Sequence, residues 1–411
     1  MTRRRSTAAL IALTAAALLA VGCSNSTGSS GSGGTKSPIR LMVDTTMSPA
    51  ASLGGLSFPW GAYGAKAAAA ALNAKGGIDG HRVQIDVCDN QGNPNQSAAC
   101  ARTAKSNADI AVIGAWDILG ATQLLPVLQA EGIPDVGPIA VSTAEVSNPD
   151  AFSFDTGAIM SGYASAGLFP QQGCKNVVQF LPTTPATQQT LAGEKAIAAA
   201  DHYRLQDVVV PPGQASVAAL ASTALSTQPD CIGYEGDGQT NVKIIAALRQ
   251  AGFKGKYITA MGSLQPPFLK SLGKLGNGVI AMSTAVDPTS SDPGVAAFRS
   301  QMTAYAGGAS AAADLNENAQ GAWSSVRLVD QALAGSGRYT SAELLKKLPT
   351  MCDVNVGNVY PHVNFCKPAA SSTLFPRVFN DNWRLYVGQN GVYIPLDDQW
   401  HDFASTIPAA S

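Results

Sequence analysis

The sequence predicts an α/β protein of two lobes, each with a parallel-sheet core. From Pro38 onward, β-rich runs alternate with Ala-rich helical stretches, and Gly, Pro or Asn marks each switch, which is the pattern of βαβ units. The series then repeats from near Gly173. Two series in tandem imply two lobes, and the cleft between lobes is a common place for a small ligand. Size agrees: 411 residues, 45% hydrophobic and 13% charged, suit about two domains and fit neither a disordered nor a fibrous chain.

The first series opens with a strand at Ile39 to Val43, a loop through Thr45 to Ser57, and a helix from Gly61 to Ala74. Gly76-Gly77 closes that helix because glycine accepts the left-handed conformation of a C-cap. A strand at Val83 to Val87 follows. Asn93-Pro94 opens a second helix, Ile110 to Gly114 is a third strand, and Gly120 to Gly132 is a helix that accommodates Pro126 by bending. In the second series the strands are Asn176 to Phe180, Asp207 to Val210, Cys231 to Tyr234, Tyr257 to Thr259 and Val279 to Met282. Helices are expected at Gln188 to Ala200, Val217 to Ser226 and Val242 to Ala251, the last closed by Gly252.

The amino terminus is an export address. Arg3, Arg4 and Arg5 precede an uncharged run from Ala8 to Val21, the order of a secretory signal and too short for a mature membrane span. Leu19-Ala20-Val21-Gly22-Cys23 resembles the lipobox of bacterial lipoproteins, which would make Cys23 the lipidated mature terminus, although Ala20 stands where that pattern prefers Leu. Ser24 to Thr35 is almost entirely Ser, Gly, Asn and Thr, a composition that behaves as a flexible tether. The expected outcome is a body held on the outer face of the cytoplasmic membrane by its lipid. Six cysteines remain, an even number in an exported chain, and 15 pairings are formally open. Short separations favour Cys88 with Cys100 and Cys352 with Cys366, which leaves Cys174 with Cys231. No Cys-x-x-Cys occurs, so no metal site is expected.

Charge and motifs narrow the function. With 27 basic against 28 acidic residues there is no basic field for nucleic acid. The four histidines (His81, His202, His362, His401) are scattered, and neither a Gly-x-Ser-x-Gly elbow nor a phosphate-binding Gly-x-x-x-x-Gly-Lys loop is present. No enzyme and no cofactor is expected. Gly236-Asp237-Gly238-Gln239-Thr240 follows a strand and opens a helix as a dinucleotide loop would, but the third glycine is missing, so a ligand contact or plain turn is the better reading.

Ala71-Leu72-Asn73-Ala74-Lys75-Gly76-Gly77-Ile78-Asp79-Gly80 resembles the branched-chain amino acid binding proteins of ABC importers, which are type I solute-binding proteins. The order of Asp89-Asn90, Asn93-Pro94, Val112-Ile113-Gly114, Glu131-Gly132-Ile133-Pro134, Gln228-Pro229-Asp230, Leu248 to Phe253 and Gly276 to Val279 extends the match from Pro38 to about Gly335. The resemblance implies two Rossmann-like lobes joined by three crossings. Residues 38–158 and 286–350 would form the first lobe, with Asn318 to Leu333 returning to it as a helix. Residues 159–285 and 351–411 would form the second, after a signal of residues 1–22 and a tether of residues 23–37. The stretch from Pro361 to Ser411, with Trp383 and Trp400, matches poorly and reads as an extension.

Carried over by position, the resemblance implies ligand contacts from loops at strand C-termini. In the first lobe these are Thr46, Met47 and Phe58, then Trp116, Asp117 and Ile118, then Ala140, Val141 and Ser142. In the second they are Thr183, Thr184 and Ala186, Asp237 and Gln239, and Met261 and Ser263. The sequence departs from the amino acid binders at this site. Ile118 and Leu119 replace the hydroxyls that hold a carboxylate, Met261 replaces the glutamate that holds an ammonium, and Ala186 and Asp237 replace covering tyrosines. A zwitterion would lose several charge-assisted hydrogen bonds there, which argues against an ordinary branched-chain amino acid. Asp117 and Asp237 could pair with an ammonium, or each could cap a helix. The function implied is a monomeric, lipid-anchored receptor that closes on a small molecule and hands it to an ABC permease. The alternative is a sensor of the same fold signalling to a membrane partner.

Overall fold

The computed structural model describes residues 36–211, 216–308, 311, 314–369 and 375–403, so the expected export signal, the tether up to Thr35 and Cys23 lie outside the described residues. Strand β1 (Ile39–Thr45) is buried at every position except Arg40, as a central strand covered on both faces must be. It pairs in parallel with β2 (Val83–Asp89), from Ile39 against Val83 to Thr45 against Asp89. On its other side lies β3 (Val112–Ile113), followed by β4 (Asp135–Val136) and β5 (Ala151–Phe152), giving the order β2-β1-β3-β4-β5. The third strand is shorter than the five-residue run suggested, and β4 and β5 are too short to leave a periodic signal.

Alternation along β1 divides the first core. Ile39, Leu41 and Val43 face α1 (Trp60–Asn73) and pack with Ala65 and Ala68, whereas Met42 faces Cys100 and Ala104 of α2 (Pro94–Asn107) and Leu124 and Leu128 of α3 (Ala121–Ala130). Asn93 caps α2 by accepting from the Asn95 amide at 2.9 Å, with Pro94 at the first helical position.

The second lobe begins with α4 (Gly157–Gln171) and repeats the plan. Strands β6 (Asn176–Pro182), β7 (Arg204–Val210), β8 (Cys231–Tyr234), β9 (Lys256–Ala260) and β10 (Val279–Ser283) run parallel in the order β7-β6-β8-β9-β10. Helices α5 (Pro185–Ala200), α6 (Ala218–Leu225), α7 (Gly238–Gln250) and α8 (Pro266–Leu272) connect them. Helix α7 starts four residues before the apolar pattern does, because the Asp237 carboxylate accepts from the Thr240 amide at 2.8 Å and caps it there.

After β10 the chain returns to the first core through α9 (Ala296–Tyr305), α10 (Glu317–Leu333) and α11 (Ser341–Lys347), whose apolar residues cluster with Ile39 and Leu41. The assignment of residues 351–411 to the second lobe needs correction. Val354, Val356, Tyr360, Val363 and Phe365 join the first core, because the face left by α10 and by Phe152 and Phe154 is where their apolar side chains can be buried. Only from β11 (Asn382–Gln389) does the chain extend the second sheet, antiparallel to β10, followed by β12 (Val392–Pro395) and the short β13 (His401–Asp402) against β11.

The three disulfides pair as the short separations indicated. Cys88–Cys100 ties β2 to α2, Cys174–Cys231 ties the start of the second lobe to β8, and Cys352–Cys366 closes a loop in the late first-core segment. The Cys174–Cys231 link, with a sequence separation of 57, restrains the unfolded chain most. Among the described residues no helix is long and apolar enough to cross a membrane.

Helices α1 and α10 meet almost backbone to backbone. A Cβ at Gly64 would lie 1.8 Å from the Ala319 carbonyl oxygen. Alanine in a helix interior gains about 1 kcal/mol over glycine, but here the overlap falls on a backbone atom that cannot swing away. Gly64→Ala is therefore expected to destabilise the protein by roughly 3 kcal/mol in denaturant titration, whereas an unobstructed site would be neutral or stabilised.

Candidate functional site

Each parallel set has the order in which the second strand in sequence lies outside the first, so connections leave in opposite directions beside β1 and β3, and beside β6 and β8. Strand C-termini at such switch points leave a crevice. The loops from these strands line one cavity of about 330 Å³, large enough for a small molecule.

Its first-lobe wall is aromatic. Phe58, Trp60 and Trp116 form a cluster with ring centroids 4.7 to 6.1 Å apart, Trp60 and Trp116 being close to parallel at 26°. The loop that carries Phe58 is pinned to the end of β1: the Thr45 hydroxyl donates to the Phe58 carbonyl at 2.7 Å, and the Phe58 amide donates to the Thr46 carbonyl at 2.6 Å. The Trp60 indole N–H donates to Asp314 at 3.1 Å, which fixes its ring. Ile118, Ile139 and Val141 continue this wall, and Phe268, Met282 and Trp383 stand on the second lobe.

Four acids line the cavity: Asp155, Glu235, Asp237 and Glu317. Asp155 is 4% exposed and lies where the chain leaves the first sheet for α4. It accepts from the Thr284 hydroxyl at 3.0 Å, the Tyr360 hydroxyl at 2.9 Å and the Gly157 amide at 3.1 Å, so it joins three segments at the junction of the lobes. Burial raises its pKa, opposed by those hydrogen bonds. Glu235 follows β8 directly and accepts from the Ser165 hydroxyl at 2.5 Å and the Ala260 amide at 3.0 Å. Glu317 opens α10, where the helix dipole favours an acid, and accepts from the Ser283 hydroxyl across the lobes. Burial pushes both glutamates up to about 8, and the Asp155 charge adds to the effect on Glu317.

Of the residues expected at the site, Phe58, Trp116, Ile118, Val141, Thr184, Ala186, Asp237, Gln239 and Ser263 line the cavity. The other seven do not. Thr46 is fully buried with its hydroxyl on Asn90, and the Met47 amide donates to Asp89. Asp117 is 1% exposed and turns into the first lobe, where its carboxylate accepts from the Gly120 amide at 2.9 Å. Beside it, burial and the Asp117 charge push the carboxyl of Asp44 well above its ordinary range. Ala140 and Met261 belong to the second-lobe clusters, Ser142 donates to Glu145, and Thr183 is exposed away from the cavity. Side chains at a strand terminus alternate in direction, and position along a loop does not reveal which way each points.

Glu235, Glu317, Trp60 and Trp383 were not anticipated. Glu235 had a usable signal, being the first residue past β8, but Glu317 and Trp383 reach the cleft only because α10 and β11 return from far along the chain. In the Gly236 to Thr240 turn, a Cβ at Gly236 would lie 2.2 Å from the Tyr234 hydroxyl oxygen and one at Gly238 2.3 Å from the Phe268 ring. Those glycines make room for aromatic side chains, which accounts for them without a phosphate. None of the four histidines lines the cavity. The one group with metal-ligand spacing among the described residues is Cys174, Asp230 and Cys231, whose sulfurs are bonded to each other and offer no thiolate.

The raised carboxyls set a pH dependence. A group whose folded pKa exceeds its unfolded value contributes stability that is full below the unfolded pKa and lost as pH rises through the folded one. For Glu235 and Glu317 that window runs from 4.5 to about 8. The melting temperature should fall across it, and the Glu235→Gln/Glu317→Gln variant should show a shallower fall by calorimetry.

The model of the periplasmic binding protein family matches residues 45–366. No relative is found among curated protein sequences. Among solved structures, a leucine binding protein from Thermotoga maritima is 15% identical, covers 89% of this chain and 99% of its own, and superposes with a TM-score of 0.70. A fatty acid ABC transporter substrate-binding protein from Thermomonospora curvata gives 13% identity, coverage of 92% and 96%, and a TM-score of 0.73. A solute-binding protein of an ABC transporter from R. palustris, solved with benzoate, gives 15%, 91% and 98%, and 0.72. At these identities the neighbours establish the fold, and the family match spans the loops that build the cleft. With two parallel sheets, a cavity at both switch points and a matching family model over most of its length, the chain belongs to the periplasmic binding protein family.

Proposed function

We propose that the protein is an extracytoplasmic solute-binding lipoprotein of an ABC importer, which captures a small molecule between its lobes and delivers it to a membrane permease. The observation that carries this reading is a cavity lined by strand-end loops of both sheets. A solute touching both walls binds the closed form more tightly than an open one, and that difference is what shifts a two-state equilibrium. Family membership supports an extracytoplasmic location, and the neighbours named for ABC transporters support the partner. Lipidation at Cys23 would keep the receptor beside its permease. The aromatic wall and the lack of metal-ligand or nucleophile geometry in the cavity favour capture over chemistry.

A thermal-shift screen of the full chain against amines, amides, aromatic acids, sugars and amino acids tests the reading. A true solute at a hundredfold excess over its Kd should stabilise by about 2.7 kcal/mol. Ser263→Trp, which places an indole on the cavity wall, should keep the fold and abolish that shift. A folded chain that responds to no solute class would overturn the proposal.

A further inference from the structure

The charge of the solute can be read from the walls of the cavity, on the understanding that it is the solute site proposed above. Among the described lining residues there are four acids and no lysine, arginine or histidine. Two of the acids are engaged elsewhere: Asp155 holds three segments together, and Asp237 caps α7. Glu235 and Glu317 join no chain crossing and cap no helix through their side chains. Their partners are neutral O–H and N–H groups, and none of the ion pairs formed by the described residues involves them. From opposite lobes both reach the turn that follows β9, where Glu235 accepts from the Ala260 amide and Glu317 lies beside Gly262. The Glu317 Oε2 atom points to the Gly262 turn, where even a Cβ would come within 3.2 Å of it.

An anionic solute, or the carboxylate of a zwitterion, would find no cation among the described lining residues to pair with and would oppose ionisation of both glutamates. A cation meets the opposite situation: by supplying the missing counter-charge it favours the ionised form of both acids, and the aromatic faces attract positive charge. We propose that the solute is an organic cation without a carboxylate, its ammonium held by Glu235 and Glu317 and its apolar body against Phe58, Trp60 and Trp116. The glycine at position 262 leaves the space that this ammonium needs beside Glu317.

The test is calorimetric titration of the full chain, in detergent, with probes matched in size: benzylamine and benzyltrimethylammonium as cations, benzyl alcohol as the neutral form, benzoate as the anion and leucine as a zwitterion. The cations should bind about tenfold or more tightly than benzyl alcohol, with benzoate and leucine weaker still. Glu235→Gln and Glu317→Gln should each weaken the cations about tenfold and benzyl alcohol much less. If either variant does not fold, the ranking of probes on the unsubstituted chain decides. Binding of benzoate, leucine or benzyl alcohol as tight as that of the cations would overturn the charge assignment and leave the solute-receptor reading intact. No binding by any probe, together with an empty solute screen, would overturn both.

Discussion

The three-way hydrogen bonding of Asp155 is the constraint on which the cleft depends. Its carboxylate stands where the chain first leaves one lobe for the other, and it accepts from Thr284, where the chain comes back, and from Tyr360, which packs on Phe154. A buried carboxylate is tolerated when several donors satisfy it and is costly when one is removed. The junction is thus restrained by a group that cannot easily change partners. Asp155 itself lines the cavity, together with Glu235, Asp237 and Glu317.

Above that junction the two walls have different chemistry, each following from local sequence. The loop between β1 and α1 is long and apolar, and it closes over itself as the cluster of Leu53, Phe58, Trp60 and Trp116. The second-lobe wall is made by short turns, where glycines at 236, 238 and 262 let neighbouring aromatic and acidic groups approach the backbone. The outcome is a pocket with an aromatic wall and four acids among its described lining residues. The raised carboxyls of Glu235 and Glu317 record the cost of ionising them away from water with no opposite charge beside them.

Much of this was legible in the chain. The alternation of β-rich runs with Ala-rich helices placed β1, α1, β2, β6 and β8 within a residue or two, since central parallel strands are continuous apolar runs and capping residues mark helix ends. The pairing of Cys88 with Cys100 and of Cys352 with Cys366 followed from separations of 12 and 14 residues, short enough for local closure. Of the residues implied by the family resemblance, Phe58, Trp116, Asp237 and Ser263 line the cavity, since loops after parallel strands open onto it. Asp117 and Met261, equally close to strand ends, turned inward: Asp117 to accept from the Gly120 amide just ahead of α3 and Met261 to fill the second core.

What the sequence by itself determined is the sort of information that resides in neighbouring residues: the fold class, the order of elements and the loops that reach the cleft. What only the tertiary structure decided is which distant segments share a surface. Glu317 and Trp383 join Glu235 and Trp116 in one cavity although they lie far apart in sequence, and residues 354–365 pack in the first core although the chain is then on its way to the second sheet. The physical reason is that burial rewards apolar surface wherever it can be covered, without regard to sequence separation. Charge compensation in the cleft likewise depends on which groups meet there, and periodicity along the chain carries no record of that meeting.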